Sequence, residues 1–402
     1  MDSFGDALRA IRSAAGLSLA ALAGRAHMSK SHVGHLETGD RTPSTEVAVA
    51  VDRALNAGGV LIQLAALERG VGDDMRRRAL LAAVGAAASL GALDGPHALA
   101  ELIRHGLARE AGADEDWQEV VVDAGRRLVS DPSPLFGAAL VTNLQMLREQ
   151  LATSRSPDLF RASACLGQIY GLWLGNQDQL GGAHHWYRTA TSLADRSGDT
   201  DTMAYTRGRS AARGIYEGWT VKQTLDMSSE ALNLTERATA GALEAHAARV
   251  TVHALTGDAK EGRSAVNDMA RLVSQLPDSG LKTVVAPEER MIFLRAYLEC
   301  RVGSLDDAQS ACDEAESALA RLPTWLTEMR VYRGRAMVAA GDVRAGLSYT
   351  LQTVQGMRHD VRVISVAVRD VMSVVPHGYR SEDMLALSAH ADPNPGPWET
   401  LL

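Results

Sequence analysis

The sequence predicts an all-α protein: a head of short helices followed by a long array of helical hairpins. Three observations predict it. Alanine and leucine dominate a chain that is 46% apolar and only 4% aromatic, and both residues give up little freedom in a helix. Apolar residues recur three and four positions apart through the first sixty residues. Beyond residue ~95, glycine-containing turns return at similar intervals, with no alternating strand pattern between them.

Each element of the head has a local reason. Phe4, Leu8 and Ile11 stand at i, i+4 and i+7, one face of a first helix that Gly16 stops. Ser18 restarts the chain as an N-cap, and Leu22 and Ala26 face inward from a second helix. Ser29 caps a third, where Val33 and Leu36 are the only large apolar residues and Gly39 ends the run. Pro43 and Ser44 open a fourth, with Val47, Val51 and Leu55 on one face and Gly58 and Gly59 at its close. Together these make a domain over residues 1–70.

Residues 71–110 are expected to be linker helices. Within them "MRRRALLAAVGAAASLGAL", residues 75–93, looks like a twin-arginine export signal. It follows a globular domain, however, and falls short of the ~20 residues of a membrane span. A buried helix is expected there, and no membrane.

Residues 111–402 carry the hairpins. The turns "SGDT" (197–200), "TGDA" (256–259), "VGSL" (302–305) and "AGDV" (340–343) share one form. Small residues such as Ala308 and Ala315 follow them and let neighbouring helices approach closely. Pro277 and Pro323 are expected to stop second helices. Leu166, Gly167 and Tyr170, then Ala183, Tyr187 and Ala190, fit a two-helix repeat, and the region resembles degenerate tetratricopeptide (TPR) repeats. Several repeats place arginine where that motif wants leucine or glycine.

Composition limits the function. The net charge of −8 argues against nucleic acid, yet residues 1–70 hold seven basic residues and seven acidic ones, so the acidic excess lies beyond them. Cys165, Cys300 and Cys312 are an odd set without a CxxC pair, which fits reduced, buried thiols in a cytoplasmic protein. His32 and His35 stand three apart with His27 nearby, but no further ligand follows at a usual spacing. His184 and His185 are adjacent and point about 100° apart on a helix. No metal is expected. The chain has no HExxH, no GxSxG, no Walker loop and no GxGxxG after a strand, and its "GDAKEG" sits in a turn. Neither an enzyme nor a cofactor is expected.

The stretch "LSLAALAGRAHMSKSHVGHLETGDRTP", residues 17–43, resembles the helix-turn-helix of the Cro/phage-repressor (XRE) family. Leu22, Ala23, Ser29, Val33, Leu36, Glu37, Gly39 and Pro43 carry the resemblance. It implies a recognition helix from Ser29 to Thr38, with Lys30, Ser31 and His35 at base edges and Ser29, His32, Thr38 and Arg41 at phosphates. It also implies an ion pair between Arg12 and Glu37. Two positions depart from the family pattern. Leu19 stands where relatives often have a phosphate-binding glutamine, and His27 where the turn usually has glycine with positive φ.

A head of this type followed by TPR-like repeats is similar to the Gram-positive peptide-pheromone regulators (the RRNPP group) and to actinobacterial XRE regulators. The likeness implies a homodimer on a near-palindromic double-stranded DNA operator. It also implies an effector, a signalling peptide or a small molecule, held on the concave wall of the repeats in a quorum-sensing-like way. Registering each first helix on its turn places Tyr205, Glu244, Thr251, Arg290, Phe293, Tyr297, Glu328 and Arg335 near that wall. The alternative is a repeat adaptor for a protein partner with a weak or vestigial DNA-binding head.

Overall fold

A computed structural model of the protein describes residues 3–14, 17–55, 61, 65, 116–130, 134–234, 236–276, 286–355 and 362–392. Among them all regular structure is helical, with no strand. Gly16, Gly58, Gly59, Pro277 and the linker helices expected over residues 71–110, the arginine-led segment included, lie outside the described residues.

The head is built from α1 (Phe4–Ala14), α2 (Leu19–Arg25), α3 (Lys30–Glu37) and α4 (Thr45–Leu55). Phe4, Leu8 and Ile11 of α1 meet Leu22 and Ala26, Val33 and Leu36, and Val51 and Leu55 in one core. Every one of these is at most 7% exposed. Ala48 completes the inner face of α4, where Val47 is only partly buried. The serine caps are in place. Ser18 Oγ accepts from Ala21 N, Ser29 Oγ from His32 N and Ser44 Oγ from Val47 N. Gly39 follows α3 with φ +77, and no side chain needs its space.

Close approach decides how α1 lies on α3. A Cβ on Gly5 would stand 2.5 Å from the carbonyl oxygen of Leu36 and 2.8 Å from that of Glu37, so only glycine lets the helices cross here.

Three longer helices follow, α5 (Trp117–Ser130), α6 (Pro134–Thr153) and α7 (Pro157–Asn176). The chain divides into two compact units, Met1–Arg127 with Asp131–Leu166, and Leu128–Ser130 with Gly167–Leu402. The main division falls within α7.

The second unit continues through α8 (Leu180–Ser197), α9 (Thr200–Gly214), a 3-10 turn (Ile215–Glu217), α10 (Val221–Asn233), α11 (Ala240–Thr256), α12 (Ala259–Val273), α13 (Pro287–Val302), α14 (Leu305–Ala318), α15 (Pro323–Ala339), α16 (Val343–Gln355), α17 (Arg362–Ser373) and α18 (Glu382–Ser388). The four matching turns all join consecutive helices. Gly198, Gly257 and Gly341 take positive φ there, and Asp199 and Asp258 cap the next helix. The third turn differs: Gly303 has φ −82, and Ser304 caps α14 in a reciprocal pair with Asp307.

Pro323 does not stop a helix. It is the first residue of α15, where its missing N–H costs nothing, and α14 has already ended at Ala318. Ala308 and Ala315 are buried on α14, and Ala183, Tyr187 and Ala190 on α8. One long-range link joins early and late parts of the unit. Arg362 of α17 pairs with Asp178 at 2.9 Å and donates to the Tyr216 carbonyl at 3.2 Å.

Candidate nucleic-acid interface

Helix α3 buries Val33, Leu36 and Glu37 and turns a polar side to solvent. Lys30, Ser31 and His35 are exposed on it, together with Ser29, Thr38 and Arg41 at its ends, while His32 is half-buried. Ser31, Gly34, His35 and Thr38 follow the three- and four-residue steps of one helical stripe.

Gly34 has no structural reason inside the protein. Nothing lies within 4 Å of where its Cβ would stand, although glycine inside a helix costs about 1 kcal/mol relative to alanine. A bare spot in the middle of the exposed stripe leaves room for an outside molecule to come close.

The helix is held from behind by charge. Glu37 is 5% exposed. A carboxylate in the last turn of a helix opposes the helix dipole and needs a cation. Arg12 supplies it, with Nε 2.5 Å from Oε1 and Nη2 3.0 Å from Oε2. The same guanidinium donates to the Leu17 carbonyl at 2.8 Å, tying the α1–α2 connection into the clamp. Arg9 adds a bond to the Glu37 carbonyl at 2.9 Å. The hydrogen bond to Glu37 raises the Arg12 pKa, with burial opposing it.

The turn before α3 bends at His27, whose φ is +53. This is the position where the family pattern has glycine, and histidine adopts the left-handed region there. Leu19 is half-buried and packs against the head's core.

The end of α3 holds a feature that sequence reasoning missed. Asp40 Oδ2 accepts from Thr38 Oγ1 at 2.6 Å and lies 3.3 Å from His35 Nδ1. The Thr38 bond lowers the Asp40 pKa, and His35 adds to that. Thr38 Oγ1 also lies 3.1 Å from the Gly34 carbonyl. Its single proton is engaged inside the protein, so it has no donor left for the phosphate assigned to it. His35 keeps Nε2 for an outside group. Arg41 is held beside the helix end by its own N–H, which donates to the His35 carbonyl at 3.2 Å.

The head thus has four short helices, a left-handed turn before the third and a capped polar helix mounted on the Arg12–Glu37 ion pair. Residues 3–65 match the family model of a helix-turn-helix domain. DNA binding and transcription regulation are the function class of such a domain. The helix-turn-helix match covers the head alone. No curated protein and no solved structure matches the chain. Among the described residues no helix is long and apolar enough to cross a membrane, and no three histidine, cysteine or acidic side chains gather as a metal site would need.

The eight residues assigned to an effector wall are all buried in the second unit. Glu244 and Arg290 meet at 3.1 Å. The Phe293 ring lies 4.9 Å from that of Trp325, and Tyr297 meets Tyr332 edge-on at 4.7 Å. Arg335 pairs with Asp370 at 3.0 Å. Burial pushes the Glu328 carboxyl up to about 7, against the fields of Arg213 and Arg290 and a bond from Tyr332. Thr251 spends its hydroxyl on the Ala247 carbonyl of its own helix, and Tyr205 lies where α9 crosses α11.

Sequence reasoning missed half of this interior. Arg209, Arg213, Glu217, Arg301, Tyr332 and Asp370 share it. No local signal marks them in the sequence, where each taken alone suits a solvated helix face.

Proposed function

We propose that the chain is a sequence-specific transcription regulator of the cytoplasm. It binds double-stranded DNA as a homodimer, and its second unit senses a small ligand or a signalling peptide. The observation that carries the DNA reading is the exposed stripe of α3, with Lys30, Ser31 and His35 around an unneeded glycine. Lysine donates to guanine O6 and N7, and serine or histidine donates or accepts. Ser29, His32 and Arg41 serve the phosphates, which set register and carry the salt dependence.

Selection from random duplex DNA, followed by gel shifts in rising salt, tests this. Lys30→Ala, Ser31→Ala and His35→Ala are each expected to cost about 1–3 kcal/mol on the selected site and to relax preference at one base position. Gly34→Ala is expected to stabilise the head by about 0.5–1 kcal/mol while weakening DNA binding. Unchanged base preference in all three side-chain variants would remove α3 from the reading role.

One head makes few base contacts, so two are expected on a near-palindromic site. Sedimentation should give a dimer. A monomer both free and on DNA would contradict the homodimer.

A second reading has its own support. Leu19 cannot donate to a phosphate, and residues 1–70 carry as many acids as bases. An adaptor that binds a protein partner, with a vestigial head, fits both facts. Failure to enrich any sequence in the selection favours it.

A further inference from the structure

We propose that Arg209 and Arg290, converging from α9 and α13 on Glu244 of α11, form a binding site for a small anion, a carboxylate or phosphate group carried by the effector. The proposal rests on the sensor reading of the second unit and gives its ligand a chemical class.

Among the described residues the second unit contains two buried groups of similar composition, each an acid between two arginines. They are satisfied differently. Around Asp370 each carboxylate oxygen has its own arginine: Arg335 Nε reaches Oδ1 at 3.0 Å, and Arg301 Nη1 pairs with Oδ2. Further donors are used as well. Arg335 Nη1 donates to the Cys300 carbonyl at 3.3 Å and Arg301 Nε to that of Ala254 at 3.3 Å. No nitrogen of either arginine is buried without a hydrogen-bond partner.

Around Glu244 both arginines lean on the same oxygen. Arg209 Nη1 and Arg290 Nη2 each lie 3.1 Å from Oε2. Arg209 and Arg290 are both 8% exposed, and the Nε of each has no hydrogen-bond partner among the described residues. Buried donors without acceptors are rare in folded proteins because each loses its water and receives nothing in return. Burial lowers the Arg290 pKa and the charge of Arg209 adds to the shift, with Glu244 opposing both. Glu328, which burial holds up at about 7, is a further carboxyl in the field of Arg290, so what the pair chiefly lacks is acceptors. An oxyanion has several lone pairs and would supply them.

The surroundings suit a small organic anion. The Arg290 guanidinium lies over the Trp325 ring, 5.3 Å from its centre, and Phe293 packs on the same indole. The stack fixes the plane of the guanidinium and places an apolar surface beside it. Glu244 competes with any incoming anion for the two arginines. Neutralising it should therefore tighten binding, whereas a purely structural triad would only be weakened.

Thermal unfolding of the full chain without DNA, titrated with inorganic phosphate or citrate at constant ionic strength, tests the site. The wild type is expected to gain stability with the logarithm of anion concentration once that exceeds the dissociation constant, as mass action requires. For Glu244→Gln the rise should begin at about tenfold lower anion concentration. For Arg209→Lys, which keeps the charge but loses the fork, it should begin at about tenfold higher. A logarithmic rise with phosphate alone assigns a phosphate group, and with citrate alone a carboxylate. Equal rises in all three proteins, linear in anion concentration, would mean general salt exclusion and overturn the proposal. So would an onset for Glu244→Gln no lower than that of the wild type. If Glu244→Gln shows no cooperative transition, the comparison of wild type with Arg209→Lys decides. Because no DNA is present, a failed operator selection leaves this result standing, and a failed titration leaves the α3 reading untouched.

Discussion

Replacing Glu328 with glutamine is expected to stabilise the second unit by roughly 3 kcal/mol at pH 8 and by almost nothing at pH 4. Burial raises this carboxyl from 4.5 to about 7, a difference of roughly two and a half pH units at about 1.4 kcal/mol each. The folded state therefore holds the proton more tightly than the unfolded chain does. The stabilising contribution is fully present below the unfolded value of 4.5 and is lost as pH rises through about 7. Above that, the folded protein carries a buried carboxylate whose attraction to Arg213 and Arg290 does not repay its lost hydration. Glutamine keeps the shape and abolishes the titration. Unfolding free energies of wild type and variant between pH 5 and 8 check this. A difference that stays flat across that range would show that Glu328 does not titrate there.

The second large effect is steric. A Cβ on Gly241 would stand 2.3 Å from the Ala204 carbonyl carbon and 2.4 Å from the Tyr205 nitrogen. Both are backbone atoms of α9, so no side-chain rotation relieves the overlap. One on Gly208 would meet the Gly241 carbonyl oxygen at 2.4 Å, which marks the same contact from the other side. Gly241→Ala is expected to force α9 and α11 apart and to cost about 3 kcal/mol. The strain should also disturb the pair of Arg209 with Glu244, since those residues sit on the same two helices. Thermal unfolding provides the measure. A variant within 1 kcal/mol of the wild type would mean that the two helices tolerate a wider crossing than the structure has.

Much of the head was legible because its determinants act over a few residues. Ser18 and Ser29 cap helices three positions ahead of themselves. The apolar steps of Phe4, Leu8 and Ile11 describe one helical face whatever lies opposite. The turn aspartates at 199 and 258 were visible as a repeated pattern for the same reason. Asp40 was not legible as the partner of Thr38 and His35, because that contact depends on how the chain leaves α3. Pro323 was misread as a stop because a proline ends one helix and begins the next by the same missing N–H, and only the position of the caps tells the two apart.

The interior of the second unit lies beyond such reasoning. Apart from Arg213 and Glu217, four residues apart, its paired arginines and acids come from distant positions: Arg209 stands 35 residues from Glu244, Glu244 46 from Arg290 and Arg301 69 from Asp370. Any of them, taken alone in the sequence, suits a solvated helix face. The sequence by itself determined the helical class, the capped starts of α2, α3 and α4 and the residues that α3 turns to solvent, because propensity, periodicity and capping are local. Only the tertiary structure decided which charges are buried together and which donors remain unsatisfied. Hydration makes an exposed arginine nearly indifferent to its neighbours, whereas removal of water makes each missing partner count.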